Sequence, residues 1–351
     1  MTVHVIVPDA YDDPLRPSGG NVYDRRLAEA LTDLGWTVRV HPVTGPWPDA
    51  GPRGRRALAA VLGAVPAGDA AIVDGLVGSA VPDAVLPHTG RARLVLLVHL
   101  PLGVADARPD TRARERAALS GCAVVVTSRW AARWLDAHYA LPPGAVTVAE
   151  PGVDAAEPAA GTASGRRLLC VGAVTPVKGH DVLGEALAAV RDLDWDCTWA
   201  GSTAIDPDFA ADVLAAARRR GIGDRLRAVG PLSGARLDAA YARADLLVLP
   251  SRAETYGMVV TEALARGVPV VASDVGGVRE SLGSTDAGVP GVLVTRADPV
   301  ALAGALREWL SDGGWRRELR RRAATRRTAL APWSATAERV AAALAATGAE
   351  P

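Results

Sequence analysis

Short runs of valine, leucine and isoleucine alternate with longer segments of helical period along the whole chain. The first run, residues 3–7, leads into a loop holding Pro14, Pro17 and Ser18-Gly19-Gly20. A helical pattern follows, with Leu27, Leu31 and Leu34 on one face and Gly35 where a left-handed stop belongs. Further strand-like runs lie at 38–40, 70–73, 94–98, 124–127 and 146–149. Largely apolar runs separated by helices indicate βαβ units and a parallel sheet covered on both faces. The rhythm breaks at 151–165, where Pro151, Gly152, Pro158, Gly161 and Gly165 stand among Ala, Thr and Ser without periodicity. This stretch reads as a linker.

The alternation restarts at 168–171 and continues through 198–200, 226–229, 246–249, 268–272 and 291–294. Helices are predicted over 181–190, 207–220 and 257–266, and 301–344 is largely helical. The expected fold class is α/β, with two doubly wound, Rossmann-like parallel-sheet domains. Residues 1–153 form the first, 154–165 the linker and 166–332 the second, while a final helix, 333–351, packs back on the first. A single closed barrel is disfavoured because the linker cuts the series in half.

Composition agrees with this division and narrows the partners. A chain of 351 residues suggests two domains. Its 39 basic and 39 acidic residues give zero net charge, which argues against nucleic acid as the main partner. Cys122, Cys170 and Cys197 have no metal-ligand spacing and read as buried thiols. Asp9 arrives before any apolar stretch long enough for a signal peptide, and no run approaches the ~18 apolar residues that span a bilayer. A soluble, cytoplasmic protein is expected. The one dense basic run holds Arg316, Arg317, Arg320, Arg321, Arg322, Arg326 and Arg327. It reads first as a solvated helix face, and otherwise as a patch for peripheral contact with anionic lipid or an acidic acceptor.

Candidate chemistry gathers at two strand ends. After 246–249 come a polar loop, Ser251 to Tyr256, then Gly257 and a helix containing Glu262. A strand end, a loop and a helix start make a ligand site in doubly wound sheets. Glu254 and Glu262 are acceptor-only groups at different depths and suit a polyhydroxylated ligand. The competing reading makes Glu254 a complement to the helix's positive end and Glu262 a surface residue. After 168–171, Gly172 permits close backbone approach and Lys178 presents a point charge, which suits a diphosphate. The Asp-x-Asp pattern within Asp192 to Asp196 falls at the sheet's amino edge and reads as a solvated turn. No Gly-x-Gly-x-x-Gly follows a strand, so a nicotinamide dehydrogenase is disfavoured.

Glu254 and Glu262, separated by seven residues, resemble the signature of family 4 retaining glycosyltransferases, whose fold is called GT-B. Ser18-Gly19-Gly20 looks like that family's glycine loop. Val124 to Ser128, Glu150 to Asp154, Lys178-Gly179 and Gly276 to Glu280 also fall in its order. The resemblance implies two domains facing across a cleft and a nucleotide-sugar donor of UDP, GDP or ADP type. It implies an acceptor hydroxyl bound by the first domain, retention at the anomeric carbon, and no metal or other cofactor. Glu262 would bind the nucleotide's ribose and Glu254 the donor sugar, with Lys178 on the diphosphate. Gly19 and Gly20 would bring a backbone N–H to the distal phosphate, and His99 would lie by sugar and acceptor. Gly172, Tyr256 and Gly257 complete the implied donor site. One departure stands out: Ala173 occupies the place of the family's usual phosphate-binding arginine, leaving Arg252 or Arg279 as substitutes. A nucleotide-sugar epimerase of the same fold and a non-catalytic nucleotide-sugar binder are the alternatives.

Overall fold

The computed structural model describes residues 1–15 and 17–349. The chain divides into two compact units. The first comprises Met1–Asp13, Ser18–Gly152 and Ala331–Pro351, the second Pro14–Pro17 and Val153–Leu330.

The first unit holds β1 (Thr2–Pro8), β2 (Thr37–Val43), β3 (Ala70–Asp74), β4 (Arg93–Val98), β5 (Ala123–Val126) and β6 (Val146–Val148). They form one parallel sheet in the order β2-β1-β3-β4-β5-β6. β2 extends well beyond the predicted 38–40, and its interior Pro42 is tolerated because this is an edge strand. One face of the sheet, with Ile6, Val73, Leu96 and Val126, builds a core with Leu58, Leu62 and Leu135. The helix Gly19–Asp33 packs against the terminal helix Trp333–Ala346, and the latter also reaches β4, β5 and β6. A Cβ on Gly152 would lie 2.4 Å from the Trp333 backbone nitrogen, and the Thr336 hydroxyl donates to the Glu150 carbonyl at 2.7 Å. Glu350 and Pro351, at the end of the predicted terminal helix, lie outside the described residues.

The second unit holds β7 (Arg167–Val171), β8 (Asp196–Ala200), β9 (Leu226–Ala228), β10 (Leu246–Leu249), β11 (Val270–Ser273) and β12 (Gly291–Val294). Its parallel sheet runs β12-β11-β10-β7-β8-β9. The central strands β10 and β11 are buried along their whole length, and β7 over most of it, so they read as apolar runs. Leu168, Cys170, Leu246, Val248 and Val271 enter one core, while Leu169, Leu247, Leu249, Val270 and Ala272 enter the other.

Strand order fixes where ligand chemistry belongs. In the first sheet the chain reverses direction between β1 and β3, and in the second between β7 and β10. Crevices outside the carboxyl ends of such strand pairs are the binding places of doubly wound sheets.

Residues 154–165, read as a linker, carry no helix or strand but are fastened to the second unit. The Ala159 N–H donates to Arg266 O at 2.9 Å, and Trp309 Nε1–H donates to Gly165 O at 2.7 Å. Thr162 donates its N–H and hydroxyl to the buried Asp245. Most of the basic run is paired within the unit. Arg316 donates to the carbonyls of Trp309 and Leu310, Arg326 to Leu282, and Arg327 to Ala265 and Ala156. Arg320 pairs with Asp245, and Arg321 and Arg322 with Glu318. Six of the run's seven arginines thus have partners within the unit, while Arg317 and Arg321 are exposed, the latter with 59% of its side chain, as a solvated helix face would have them.

Candidate active site

At the β7/β10 switch point two loops are pressed together by glycines. β7 delivers the chain to Gly172, and a Cβ on Gly201, just after β8, would lie 1.8 Å from the Gly172 carbonyl oxygen. A short turn, Pro176–Lys178, then reaches Gly179, where φ is +69° and a Cβ would lie 2.1 Å from Pro250 O. Arg252 fastens the loops. Its N–H donates to Val177 O at 2.7 Å, and its guanidinium donates to Pro176 O at 2.6 Å and to both Asp181 oxygens at 2.8 and 2.7 Å.

This frame brings three side chains together. Lys178 Nζ donates to Glu254 Oε1 at 2.6 Å, and the Ser251 hydroxyl donates to the same oxygen at 2.7 Å. The Glu254 carboxylate is mostly buried, whereas about a third of Lys178 faces solvent, with side-chain exposures of 11% and 32%. The Glu254 backbone is held from behind: the Gly277 N–H donates to Glu254 O at 3.2 Å, and a Cβ on Gly276 would lie 1.6 Å from that oxygen. Tyr256 is buried, and Gly257, at φ +88°, starts the helix Met258–Ala265.

Glu262, in that helix, does not share the hydrogen bonds of Glu254. Its Oε2 accepts from the hydroxyl of buried Tyr241 at 2.6 Å. Burial raises the Glu262 pKa, while the Tyr241 hydrogen bond and the Arg266 charge pull it back down. Burial first, and then the Glu262 charge, raises Tyr241. Neither substitute for the arginine missing at Ala173 is uncommitted. Arg252 is bidentate on Asp181, and Arg279 pairs with Asp274. The acidic residues of the Asp-x-Asp stretch sit at the amino end of β8, paired with Arg307, Arg166 and Arg227.

In the first unit, His99 follows β4 beside the β1/β3 reversal. Its Nε2 lies 2.7 Å from Oδ1 of Asp24, which is buried in the helix Gly19–Asp33. Asp74, at the end of β3, places an oxygen within 4.8 Å of the ligand atoms of the other two. Three such groups lie close enough together to hold a cation, and Nε2 and Oδ1 are within hydrogen-bond distance of each other. Burial alone would lower the His99 pKa, but the charge and hydrogen bond of Asp24, then the charge of Asp74, raise it to about 9. Burial and Asp24 push Asp74 up to about 7. Gly20 lies against the imidazole, since a Cβ there would be 3.1 Å from its Cδ2, and Ser18 Oγ accepts from Asn21 N–H to start the helix that Gly19 enters. Sequence reasoning singled out neither Asp24, Asp74 nor Tyr241. For Asp74 the signal was an acid at a strand's carboxyl end. Asp24 and Tyr241 gain their meaning from partners 75 and 21 residues away.

Comparison with known proteins bears on this geometry. Residues 161–326 match the family model for glycosyl transferases group 1. A D-inositol 3-phosphate glycosyltransferase of Salinispora tropica is 34% identical over 279 residues, covering 72% of this chain and 57% of that protein. Its namesake from Geodermatophilus obscurus is 36% identical over 289 residues, covering 76% and 62%. The chain thus spans about three fifths of the length of these curated relatives. A sucrose-phosphate synthase from Thermosynechococcus elongatus superposes over 97% of both chains with a TM-score of 0.79 at 24% identity. Anabaena HepE in complex with UDP and glucose superposes over 99% of this chain and 100% of its own, with a TM-score of 0.77 at 18% identity. These two likenesses establish the shared fold.

Proposed function

Because the chain belongs to the family 4 glycosyltransferases of GT-B fold, we propose that it moves a sugar from a nucleotide-sugar donor to an acceptor hydroxyl. The reading includes retention at the anomeric carbon and no metal ion. The observation that carries it is the convergence of Lys178, Ser251 and Glu254 at the β7/β10 switch point.

Lys178 is assigned to the diphosphate. Its ammonium has three protons, so it can keep Glu254 and donate to a phosphate oxygen at the same time. With Ala173 in the arginine's place, and Arg252 and Arg279 held by Asp181 and Asp274, Lys178 carries the cationic share of this loop pair. Glu254 is assigned to the donor sugar, its Oε2 accepting hydroxyls while Lys178 and Ser251 fix its Oε1. Glu262 takes the ribose. In the reaction the bond from the anomeric carbon to the diphosphate oxygen breaks, and the acceptor oxygen bonds to that carbon. The acceptor's proton passes to the departing phosphate. Lys178 acts by stabilising charge on the leaving group, and the glycine-locked Glu254 by orienting the sugar. His99, whose pKa the Asp24 carboxylate raises, is assigned a hydrogen bond to a substrate hydroxyl.

A thermal-shift panel of UDP-, GDP-, ADP- and dTDP-sugars tests the donor class. At least one should raise the melting temperature of the protein, and Lys178→Ala should lose most of that shift. No shift with any of them contradicts the reading. D-inositol 3-phosphate is the first acceptor to try, because the curated relatives carry that name.

A further inference from the structure

Tyr241, in the helix Gly234–Arg243, has no place in the chemistry described above, yet its surroundings are built around one hydrogen bond. The ring is 1% exposed, and the Arg266 guanidinium lies 4.8 Å from its centroid. Arg266 is itself held by Asp238 and by the Glu262 carbonyl, which accepts at 2.9 Å. The phenol has a single proton. Its oxygen lies 2.6 Å from Glu262 Oε2 and 3.5 Å from Val259 O, so that proton goes to the carboxylate. Among the described residues no other hydrogen bond reaches the Glu262 side chain, and the residue is only half-buried.

We propose that Tyr241 is a positioning residue for donor recognition, holding Glu262 Oε2 inward so that Oε1 faces outward to accept a ribose hydroxyl. This rests on the reading that Glu262 binds the nucleotide's ribose. A flexible glutamate has three torsions to order when it meets a ligand, and a carboxylate already tied at one oxygen has less freedom to lose. The fixed oxygen makes Tyr241 a determinant of ribose over deoxyribose, although it does not touch the nucleotide. As long as the phenol keeps donating at this position, it also sets the behaviour of a glutamine at 262. The amide oxygen would turn toward Tyr241 and present its NH₂ outward, where an acceptor is needed.

Calorimetric titration of the full chain with UDP, GDP and ADP, each beside its 2′-deoxy and 3′-deoxy forms, tests the proposal. The tightest-binding base is then used for Tyr241→Phe, Glu262→Gln and the double variant. Wild type should favour the ribonucleotide over one of its deoxy forms by about tenfold, the size of a charge-assisted hydrogen bond. Tyr241→Phe should reduce that ratio to about threefold through loss of ribonucleotide affinity, with affinity for the deoxy form unchanged. Glu262→Gln should abolish the preference, and adding Tyr241→Phe should restore part of it by letting the amide oxygen turn outward. Tyr241→Phe removes one oxygen, and its melting curve shows whether the fold is kept. If that variant weakens both nucleotides equally, or keeps the wild-type ratio while Glu262→Gln abolishes it, Tyr241 only packs and the proposal fails. If Glu262→Gln also keeps the ratio, the ribose assignment of Glu262 fails first.

Discussion

Lys178 and Glu254 form a pair whose members have different work, and their substitutions separate accordingly. Removing the ammonium takes away the stabilisation of a departing diphosphate, so Lys178→Ala should lower kcat by about a hundredfold. Glu254→Gln keeps the shape but weakens the hold of Lys178 and Ser251 on Oε1, and a comparable loss is expected. Melting temperatures should change little, since Lys178 is partly exposed and both loops are fastened by Arg252 and the glycines. His99 gives a pH-dependent prediction. Its folded pKa, about 9, lies above the ordinary histidine value, so the stability it contributes is present in full below that ordinary value. This contribution is lost as pH rises through about 9. NMR titration of the His99 ring should show that midpoint, with Asp24→Asn moving it down by more than one unit; an ordinary midpoint in wild type would contradict it. Glu254, Glu262 and Lys178 were legible because a spacing and a strand end mark them. Their partners were not. Nothing near position 24 or 241 in the sequence announces a bond to His99 or Glu262, and the commitment of Arg252 to Asp181 is a fact of three dimensions.

The central strands stood out because burial on both faces makes them apolar runs, whereas the edge strands β2 and β9 are largely exposed or half-buried. The glycine at Gly35, with φ +92°, stopped its helix as expected. The helices Gly51–Ala64 and Gly234–Arg243 were harder to see. The first buries only Gly54, Leu58 and Leu62, and the second only Tyr241, so neither shows a wide apolar stripe. The stretch 154–165 lacks periodicity because side-chain and backbone hydrogen bonds, not apolar packing, hold it down. That difference is testable. Asp245 is fully buried and accepts from Thr162, from Arg167 N–H at 3.0 Å and from Arg320 at 2.7 Å. Arg320→Met should cost about 2 kcal/mol in urea unfolding, a partly exposed version of a broken buried pair. A second test concerns the loop behind Glu254. Gly276 is at φ +54° with Glu254 O in the space a Cβ would take, so Gly276→Ala must displace the loop. Turnover should fall by about a hundredfold, the effect of moving a positioned group by an ångström.

On the scale of the whole molecule, each unit repeats one principle: a parallel sheet buried on both faces, with its chemistry at the strand pair where the order reverses. Zero net charge belongs to this picture. Most arginines described here are matched by carboxylates or carbonyls of their own unit, and Lys178 stands at the crevice with a third of its side chain exposed. A ligand present at a hundred times its dissociation constant stabilises a fold by about 2.7 kcal/mol, so donor binding should be visible in melting. The most direct test of the central claim is the rate at which the preferred nucleotide sugar releases its nucleoside diphosphate in the presence of an acceptor hydroxyl, in wild type, Lys178→Ala and Glu254→Gln. Acceptor-dependent release by wild type, reduced about a hundredfold in both folded variants, is the predicted result. Near-wild-type release by both variants would contradict it.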